Sequence, residues 1–248
     1  MKCLQAGILI FLLSQCTAVP TSKKQHEKAE KELQKEEVIL PKSNALITEN
    51  GLVALNDMAP TILVDLKYSS TDNFMHKQLY HSIEKAYLVK EVAERLAKCQ
   101  ELLVQLKPGY HLLVYDAMRP VSVQIEMWES LDSIPFAQRI KFVSNPKNGS
   151  LHNYGAAVDL TIANERGEPL DMGAGFDDIR LIAYPENEAH FLQTGELTEQ
   201  HIENRRLLRK VMQSQGFRNI PTEWWHFNAC SRNEAKKKYK RIDREEGI

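Results

Sequence analysis

The alternation of apolar and polar residues along the chain predicts its main elements. Between residues 84 and 106, apolar side chains recur at helical spacing, which predicts one long amphipathic helix ended by Pro108-Gly109. Two further helices are predicted at residues 121–130 and 203–215. Short apolar runs predict buried strands at residues 61–66, 111–115 and 156–162, and a last extended segment at residues 217–227.

The order of these elements predicts the fold class. Helices and strands are mixed without a strict βαβ rhythm, so an α+β fold is favoured over a doubly wound parallel sheet. We see no repeat and no boundary within residues 44–230, and we therefore expect one domain there. Residues 19–43 and 231–248 are rich in charge and are expected to be a linker and a C-terminal tail.

The first 18 residues are typical of an export signal. Lys2 precedes an apolar run at residues 6–13, which is too short to span a bilayer of about 30 Å. Two cleavage sites fit the residues that follow: before Cys16, which would become the lipidated N-terminus of a bacterial lipoprotein, or after Ala18. Both predict an exported protein, either periplasmic or anchored to the membrane through a lipid on Cys16.

Composition and charge change this picture little. The chain has 248 residues, 43% of them hydrophobic, and a formal net charge of -1, which is ordinary for a globular protein. No basic surplus favours nucleic acid as a partner, and no feature specifies an oligomeric state. Cys99 and Cys230 lie in the folded part outside any CxxC motif, so we expect free thiols rather than zinc ligands.

Three residues have the chemistry of a metal site. A catalytic zinc usually takes three ligands drawn from imidazole and carboxylate groups and keeps one position open. His152, Asp159 and His226 would supply such a set. Gly155 gives the chain freedom to turn between His152 and Asp159, and the predicted strand would hold Asp159 rigidly.

Two more residues complete a hydrolytic site. Glu223 lies three residues before His226, where a carboxylate could take a proton from water beside the metal. In a regular strand these two side chains would face opposite ways, so the hypothesis requires a bulge or an irregular turn. Arg119 follows a buried strand and precedes Pro120, where a guanidinium could stabilise the oxyanion of a peptide carbonyl.

Each of these residues also has an ordinary interpretation. His152 alone could be an ordinary loop histidine, and Asp159 could cap a helix or a turn. Arg119 could form a surface ion pair with Asp116. Together they supply ligands, base and electrophile in one chain, which favours catalysis. The chain has no HExxH motif, and this excludes the thermolysin class.

At these positions the sequence resembles the VanX-type D-alanyl-D-alanine dipeptidases, relatives of the zinc D,D-carboxypeptidases and of the hedgehog signalling domain. The family pattern SxHxxGxAxD lies at residues 150–159, and EWWH lies at residues 223–226. The resemblance covers most of residues 51–228. Further matching stretches follow in the family's order: VDLKYSSTDNF, YDAMRP, LDMGAGFD and NRRLLRKVMQSQGF.

The resemblance implies a hedgehog/DD-peptidase-like fold, with a small, mainly antiparallel sheet flanked by helices. It implies one Zn²⁺ per chain, with His152, Asp159 and His226 as the zinc ligands. Glu223 matches the general base that activates the metal-bound water. The substrate implied is the small dipeptide D-alanyl-D-alanine, cut to two D-alanines.

The resemblance also implies roles for three substrate-facing residues. Arg119 matches the arginine that steadies the tetrahedral intermediate, and Ser150 matches a substrate-contacting serine. Asp177, in LDMGAGFD, matches the carboxylate that holds the free ammonium group of the substrate. An anion there favours a dipeptide with a free N-terminus over a long cell-wall peptide.

Two other functions are compatible with the same residues. A D,D- or L,D-carboxypeptidase acting on peptidoglycan stem peptides would need an open cleft and would not depend on Asp177. A zinc-stabilised binding module, as in the hedgehog domain, would share the metal site without cutting peptides. The presence of both Glu223 and Arg119 favours an enzyme. An enzyme of this kind with an export signal is expected to serve peptidoglycan turnover or nutrient recovery outside the cytoplasm.

Overall fold

The computed structural model describes residues 49–245, so the predicted export signal, Cys16 and the whole charged linker at residues 19–43 lie outside the described residues. The described strands are β1 (Leu52–Ala54), β2 (Leu63–Val64), β3 (Tyr87–Val89), β4 (His111–Asp116), β5 (Ala157–Ala163), β6 (Arg218–Ile220) and β7 (Glu223–Asn228). The α-helices are α1 (Leu55–Met58), α2 (Lys90–Leu106), α3 (Val121–Glu129), α4 (Glu188–Thr194), α5 (Glu199–Gln213) and α6 (Arg232–Lys238). Short 3-10 helices lie at Lys67–Ser69, Phe136–Lys141, Leu151–Tyr154, Leu181–Ala183 and Pro185–Asn187.

The larger sheet has five strands in the order β2-β4-β5-β7-β6. The β2–β4 pair is parallel, and the other three pairs of this sheet are antiparallel. The β1 and β3 strands form a separate antiparallel pair. The predicted α+β fold with a mainly antiparallel sheet is therefore confirmed.

The sheet buries one face under helices and uses the other for the candidate site. On the helix side, Val158, Leu160 and Ile162 of β5 are all fully buried, as are Val92 and Leu96 of α2. All seven residues of β5 are buried, which explains why its sequence is apolar almost throughout. Asp159 and Thr161 of the same strand point to the opposite face, because side chains alternate along a strand.

The ends of several elements differ from their predicted positions. The long helix begins at Lys90 instead of residue 84, because Tyr87–Val89 pairs with β1 as a strand. The strand predicted at residues 61–66 is reduced to Leu63–Val64. The single extended segment predicted at residues 217–227 is wrong: it is a hairpin, β6 and β7, which turns at Pro221-Thr222.

The described part of the predicted C-terminal tail contributes to the same fold. Helix α6 is capped by the Ser231 hydroxyl, and Ile242 beyond it is only 3% exposed. The Ile242 N–H donates to the Asn153 carbonyl at 2.8 Å, and its carbonyl accepts from the Val121 N–H at 2.9 Å. The expected boundary at residue 230 thus lies inside the folded structure.

None of the helices in residues 49–245 combines the length and the hydropathy that crossing a lipid bilayer requires. Cys99 is buried and Cys230 is partly buried, and both thiols are free, as the sequence predicts. Burial raises the pKa of Cys99 to about 12, so this thiol is inert at neutral pH.

Candidate active site

A row of buried polar side chains crosses three neighbouring strands of the large sheet. Asp159 of β5 lies directly opposite His226 of β7, and on its other side it pairs with Asp116 of β4. Directly opposed residues in an antiparallel pair share one face of the sheet. The pairing therefore brings Asp116, Asp159 and His226 together, although 110 residues separate the first from the last.

His152 reaches this row from the 3-10 helix Leu151–Tyr154. The hydroxyl of Ser150 caps that helix by accepting a hydrogen bond from the His152 N–H at 3.3 Å. In turn, Asn153 Oδ1 accepts a hydrogen bond from the Ser150 N–H at 2.7 Å. Gly155 ends the helix at φ 60°, and a Cβ there would lie 2.8 Å from Leu52 Cδ2. The glycine expected to turn the chain toward Asp159 is thus required by its left-handed backbone and by a close neighbour.

The three predicted ligands present one atom each to a common point. Asp159 Oδ1 lies 2.8 Å from His226 Nδ1 and 3.4 Å from His152 Nε2, and the two ring nitrogens are 3.2 Å apart. Zinc binds these atom types at about 2.0–2.2 Å, so tetrahedral ligand atoms lie about 3.3 Å from one another. The spacing and the donor set therefore fit a zinc ion.

The outer nitrogens of both histidines are engaged by hydrogen bonds. His152 Nδ1 donates to the Ala117 carbonyl at 2.6 Å, and His226 Nε2 donates to Asn228 Oδ1 at 2.9 Å. Each bond fixes the tautomer and leaves the lone pair of the inner nitrogen for a metal. The Asn228 contact explains why the ring of His226 is oriented toward Asp159.

The candidate metal site is strongly polarised. Burial disfavours the charge on His226, but Asp159 outweighs it and raises the pKa of His226 to about 9. Despite burial, the two histidines hold the pKa of Asp159 far below its ordinary value. Asp159 and His226 thus stabilise each other's charge within the metal site.

Arg119 lies just after β4 and is held by the buried carboxylate of Asp116, the last residue of that strand. Its Nε and Nη2 donate to Asp116 Oδ2 at 2.9 and 2.6 Å, and Tyr80 donates its hydroxyl proton to Asp116 Oδ1 at 2.5 Å. Burial opposes the charge on Arg119, yet Asp116 raises the pKa of Arg119 above its ordinary value. The alternative of a surface pair between Arg119 and Asp116 is therefore wrong: the pair exists, but it is buried.

Glu223 and His226 face the same cavity because β7 is bulged. Asn219 of β6 pairs with Phe227, but the next residue, Ile220, pairs with Glu223. Three residues of β7 thus stand between two successive pairs, which breaks the strand alternation. Glu223 Oε2 lies 3.7 Å from His226 Nδ1, and burial raises the pKa of Glu223. The irregularity that the sequence hypothesis required is present.

Asp177 faces the site from a loop outside the sheet. Its φ of 59° is unusual for a residue other than glycine. Tyr68 donates its hydroxyl proton to the Asp177 carboxylate, with both oxygens at 3.1 Å, and the Arg119 guanidinium lies 5.0 Å from the Tyr68 ring centre. Burial and the nearby Asp159 raise the pKa of Asp177. A cation bound beside this carboxyl would therefore stabilise its charged form.

The metal site, Arg119, Glu223 and Asp177 line one cavity of about 220 Å³. This volume is below the range of about 300–1,000 Å³ that is usual for drug-sized ligands, so the cavity suits a small molecule. Every site residue predicted from the sequence lines it: Arg119, Ser150, His152, Asp159, Asp177, Glu223 and His226. Apolar walls come from Phe74, Met127, Phe142, Val143, Ile179 and Trp225.

Sequence reasoning missed three residues that shape the site. Asp116 was considered only as a surface partner of Arg119, although an aspartate that ends a buried strand signals a buried partner. Asn228 lies two residues after His226, a spacing that places both on one strand face. Tyr68 gave no signal by itself, because its contact with Asp177 joins residues 109 apart in the chain.

Comparison with known proteins identifies a family. The family described as D-Ala-D-Ala dipeptidase matches residues 48–243. A D-alanyl-D-alanine dipeptidase of Escherichia coli K12 is 35% identical over 178 residues, which are 71% of this chain and 83% of that protein. One of Enterococcus faecalis V583 is 30% identical over 193 residues, which are 72% of this chain and 91% of that protein.

Similarity to solved structures is weaker. The LdcB L,D-carboxypeptidase aligns with a TM-score of 0.42 and 18% identity, covering 75% of this chain and 71% of that chain.

Proposed function

This chain belongs to the D-Ala-D-Ala dipeptidase family of metallopeptidases, and on that premise we propose that it hydrolyses D-alanyl-D-alanine to two D-alanines. The observation that carries the proposal is one small cavity lined both by a His–Asp–His metal site and by the half-buried carboxylate of Asp177. Such a cavity matches a dipeptide whose carbonyl lies at the metal and whose ammonium group lies at Asp177.

The residues of the metal site fit zinc, which is the cofactor of this family. When bound, zinc lowers the pKa of a coordinated water and polarises the carbonyl of the peptide bond. His152, Asp159 and His226 would hold the ion, and the bonds to Ala117 and Asn228 would keep both rings in place.

Glu223 acts as the general base and then as the general acid. Its carboxylate lies beside the ligand ring of His226 and takes the proton of the attacking water. The water oxygen then bonds to the carbonyl carbon of the dipeptide. As the C–N bond breaks, Glu223 returns that proton to the departing amine, so the base is regenerated in each turnover.

Arg119 stabilises the negative charge that develops on the carbonyl oxygen. Its Nε and Nη2 are engaged by Asp116, which keeps the guanidinium in one orientation at the cavity wall. A cation oriented before the reaction costs no reorganisation when the oxyanion forms. The buried pair with Asp116 therefore supports a catalytic role for Arg119.

Asp177 binds the free ammonium group of the dipeptide, and the hydroxyl of Tyr68 orients the Asp177 carboxylate by donating a hydrogen bond to it. A peptide without a free N-terminus would leave this half-buried carboxylate without a cation. Ser150 lines the same cavity, and its hydroxyl proton is free to donate to substrate while its oxygen caps the His152 helix.

Incubating the purified protein with three substrates, with and without a chelator, tests the proposed function. We expect chelator-sensitive release of D-alanine from D-Ala-D-Ala, and no cleavage of L-Ala-L-Ala or of a pentapeptide ending in D-Ala-D-Ala. Cleavage of the pentapeptide instead would identify a D,D-carboxypeptidase. No cleavage by protein that holds zinc would identify a binding module.

The reaction is further proposed to take place outside the cytoplasm. The support is the sequence alone: a basic start, an apolar run at residues 6–13 and Cys16 or Ala18 as the cleavage point. The full chain is expected in the periplasmic or membrane fraction of a bacterial host. Labelling with a fatty-acid analogue that disappears in Cys16→Ser would indicate lipidation, and full-length protein in the cytoplasm would contradict export.

A further inference from the structure

The bulge in β7 is the feature that places Glu223 beside His226, and it needs something to hold it. Trp224, Trp225 and His226 lie opposite no residue of β6, because the pairing moves from Asn219–Phe227 to Ile220–Glu223. On that edge, backbone carbonyls of the bulge lose the partners that a regular ladder would supply. A bulge without replacement partners would lower the stability of the fold or leave this part of β7 mobile.

The side chain of Asn219 supplies the replacement. Its Nδ2 lies 2.8 Å from the Glu223 carbonyl, 2.8 Å from the His226 carbonyl and 3.4 Å from the Trp224 carbonyl. One amide group thus bridges the residue that starts the bulge and the residue that ends it. These two residues are the proposed general base and a predicted zinc ligand.

The orientation of the Asn219 amide follows from its surroundings. Carbonyl oxygens only accept hydrogen bonds, so the NH₂ group must face the bulge. The Oδ1 atom is buried and has no hydrogen-bond partner anywhere in residues 49–245. A buried polar atom without a partner is unfavourable. Asn219 therefore carries a cost at its Oδ1 atom, while its Nδ2 atom holds the bulge.

We propose that Asn219 is a positioning residue, whose amide fixes the bulge of β7 and thereby sets Glu223 and His226 at their working separation. The inference rests on the proposed function, because it assigns Asn219 a part in the same reaction. Asn219 acts through Glu223 and His226 and touches neither the substrate nor the metal. It should therefore control the rate of the chemical step more than the binding of the dipeptide.

Two variants test the role, and the buried side-chain amide of Gln100 provides the control. Asn219→Asp keeps the side-chain shape but turns an acceptor toward three carbonyls, and Asn219→Ala removes the bridge altogether. In the control, Gln100→Ala, the lost amide donates to the Tyr110 carbonyl at 3.0 Å and accepts from the Leu112 N–H at 2.7 Å. Gln100 is 3% exposed and does not line the site cavity.

The first measurement is kcat and KM for D-Ala-D-Ala, with saturating zinc and at a temperature well below Tm. The others are the zinc content and the visible spectrum of the cobalt-substituted protein. Both Asn219 variants should lose at least tenfold in kcat, with KM within about threefold of wild type and about one zinc per chain. The cobalt spectrum should shift, because His226 moves with the bulge. Gln100→Ala should lower Tm while leaving kcat and the spectrum unchanged.

Several outcomes would overturn the inference. These are a kcat of both Asn219 variants within twofold of wild type, a loss that Gln100→Ala reproduces, or failure of both variants to fold where the control folds. If wild type does not cleave D-Ala-D-Ala, the proposed function fails and the cobalt spectra decide the role of Asn219. An unchanged spectrum in Asn219→Asp would then overturn the positioning role.

Discussion

The two walls of the cavity are built in different ways. The metal wall stands on paired strands, where Asp159 and His226 are opposite one another in the ladder. The wall that carries Asp177 is a loop without a strand, and Asp177 itself has a φ of 59°. Asp159, Glu223 and His226 thus lie on the rigid sheet, and Asp177, the group proposed to select the substrate, lies on a loop.

The loop wall is nevertheless anchored from the core. Arg205 of α5 is 1% exposed, and it donates to the carbonyls of Met172 and Ile182 at 2.7 and 3.0 Å, on either side of Asp177. Side-chain donors here replace the backbone ladder that holds the metal wall. The two walls should therefore fail separately: a change in one should spare the work of the other.

The largest effect is expected from Glu223→Ala in the metal wall. Loss of a general acid–base group typically lowers the rate by about 10²–10⁴-fold, and we expect kcat to fall by about 10³-fold or more. The zinc content should stay near one per chain, because Glu223 is outside the ligand set. Steady-state kinetics and metal analysis check this, and near-wild-type activity would remove the mechanism.

Arg205→Leu tests the anchor of the loop wall. The change leaves the carbonyls of Met172 and Ile182 without their donor, and we expect the free energy of unfolding to fall by about 3 kcal/mol. The KM for D-Ala-D-Ala should rise at least tenfold, because Asp177 loses its position, while the zinc content is unchanged. Urea denaturation and kinetics measure both. A lost metal with an unchanged KM would contradict the separation of the walls.

Tyr68→Phe tests the contact between the walls and should have the smallest effect. The ring that packs against Arg119 remains, but the donor to both oxygens of Asp177 is lost. One hydrogen bond of about 1 kcal/mol corresponds to roughly a fivefold loss in kcat/KM for the free dipeptide. The kcat at saturating substrate should be nearly unchanged. A much larger fall in kcat would place Tyr68 in the chemistry.

The metal wall was largely predictable, whereas its most important irregularity was not. A strand places Asp159 on a defined face, and Gly155 allows the turn that brings His152 to it, so local rules are sufficient for these ligands. The bulge before His226 depends on pairing with β6 and on the Asn219 side chain, which no local pattern reveals. Sequence could state only that such a bulge was needed.

Long-range pairing also explains the other errors. Residues 84–89 continue the apolar spacing of the helix, so only the pairing of Tyr87–Val89 with β1 shows that they belong to a strand. Arg119 and Asp116 lie three apart and fit an exposed pair, and their burial follows from Tyr80 and Tyr68, which are distant in sequence. The position of Asp177 came from resemblance alone, because a loop has no periodicity to predict it.

In the proposed function, the metal wall cuts the peptide bond and the loop wall selects a free ammonium group. The most direct test compares kcat/KM for D-Ala-D-Ala and N-acetyl-D-Ala-D-Ala in wild type and in Asp177→Asn. A charge-assisted contact of about 2–3 kcal/mol predicts that wild type prefers the free dipeptide by roughly 30- to 150-fold. The preference should largely disappear in the variant, with zinc retained. A variant that still rejects the acetylated dipeptide as strongly as wild type would show that Asp177 does not select the ammonium group.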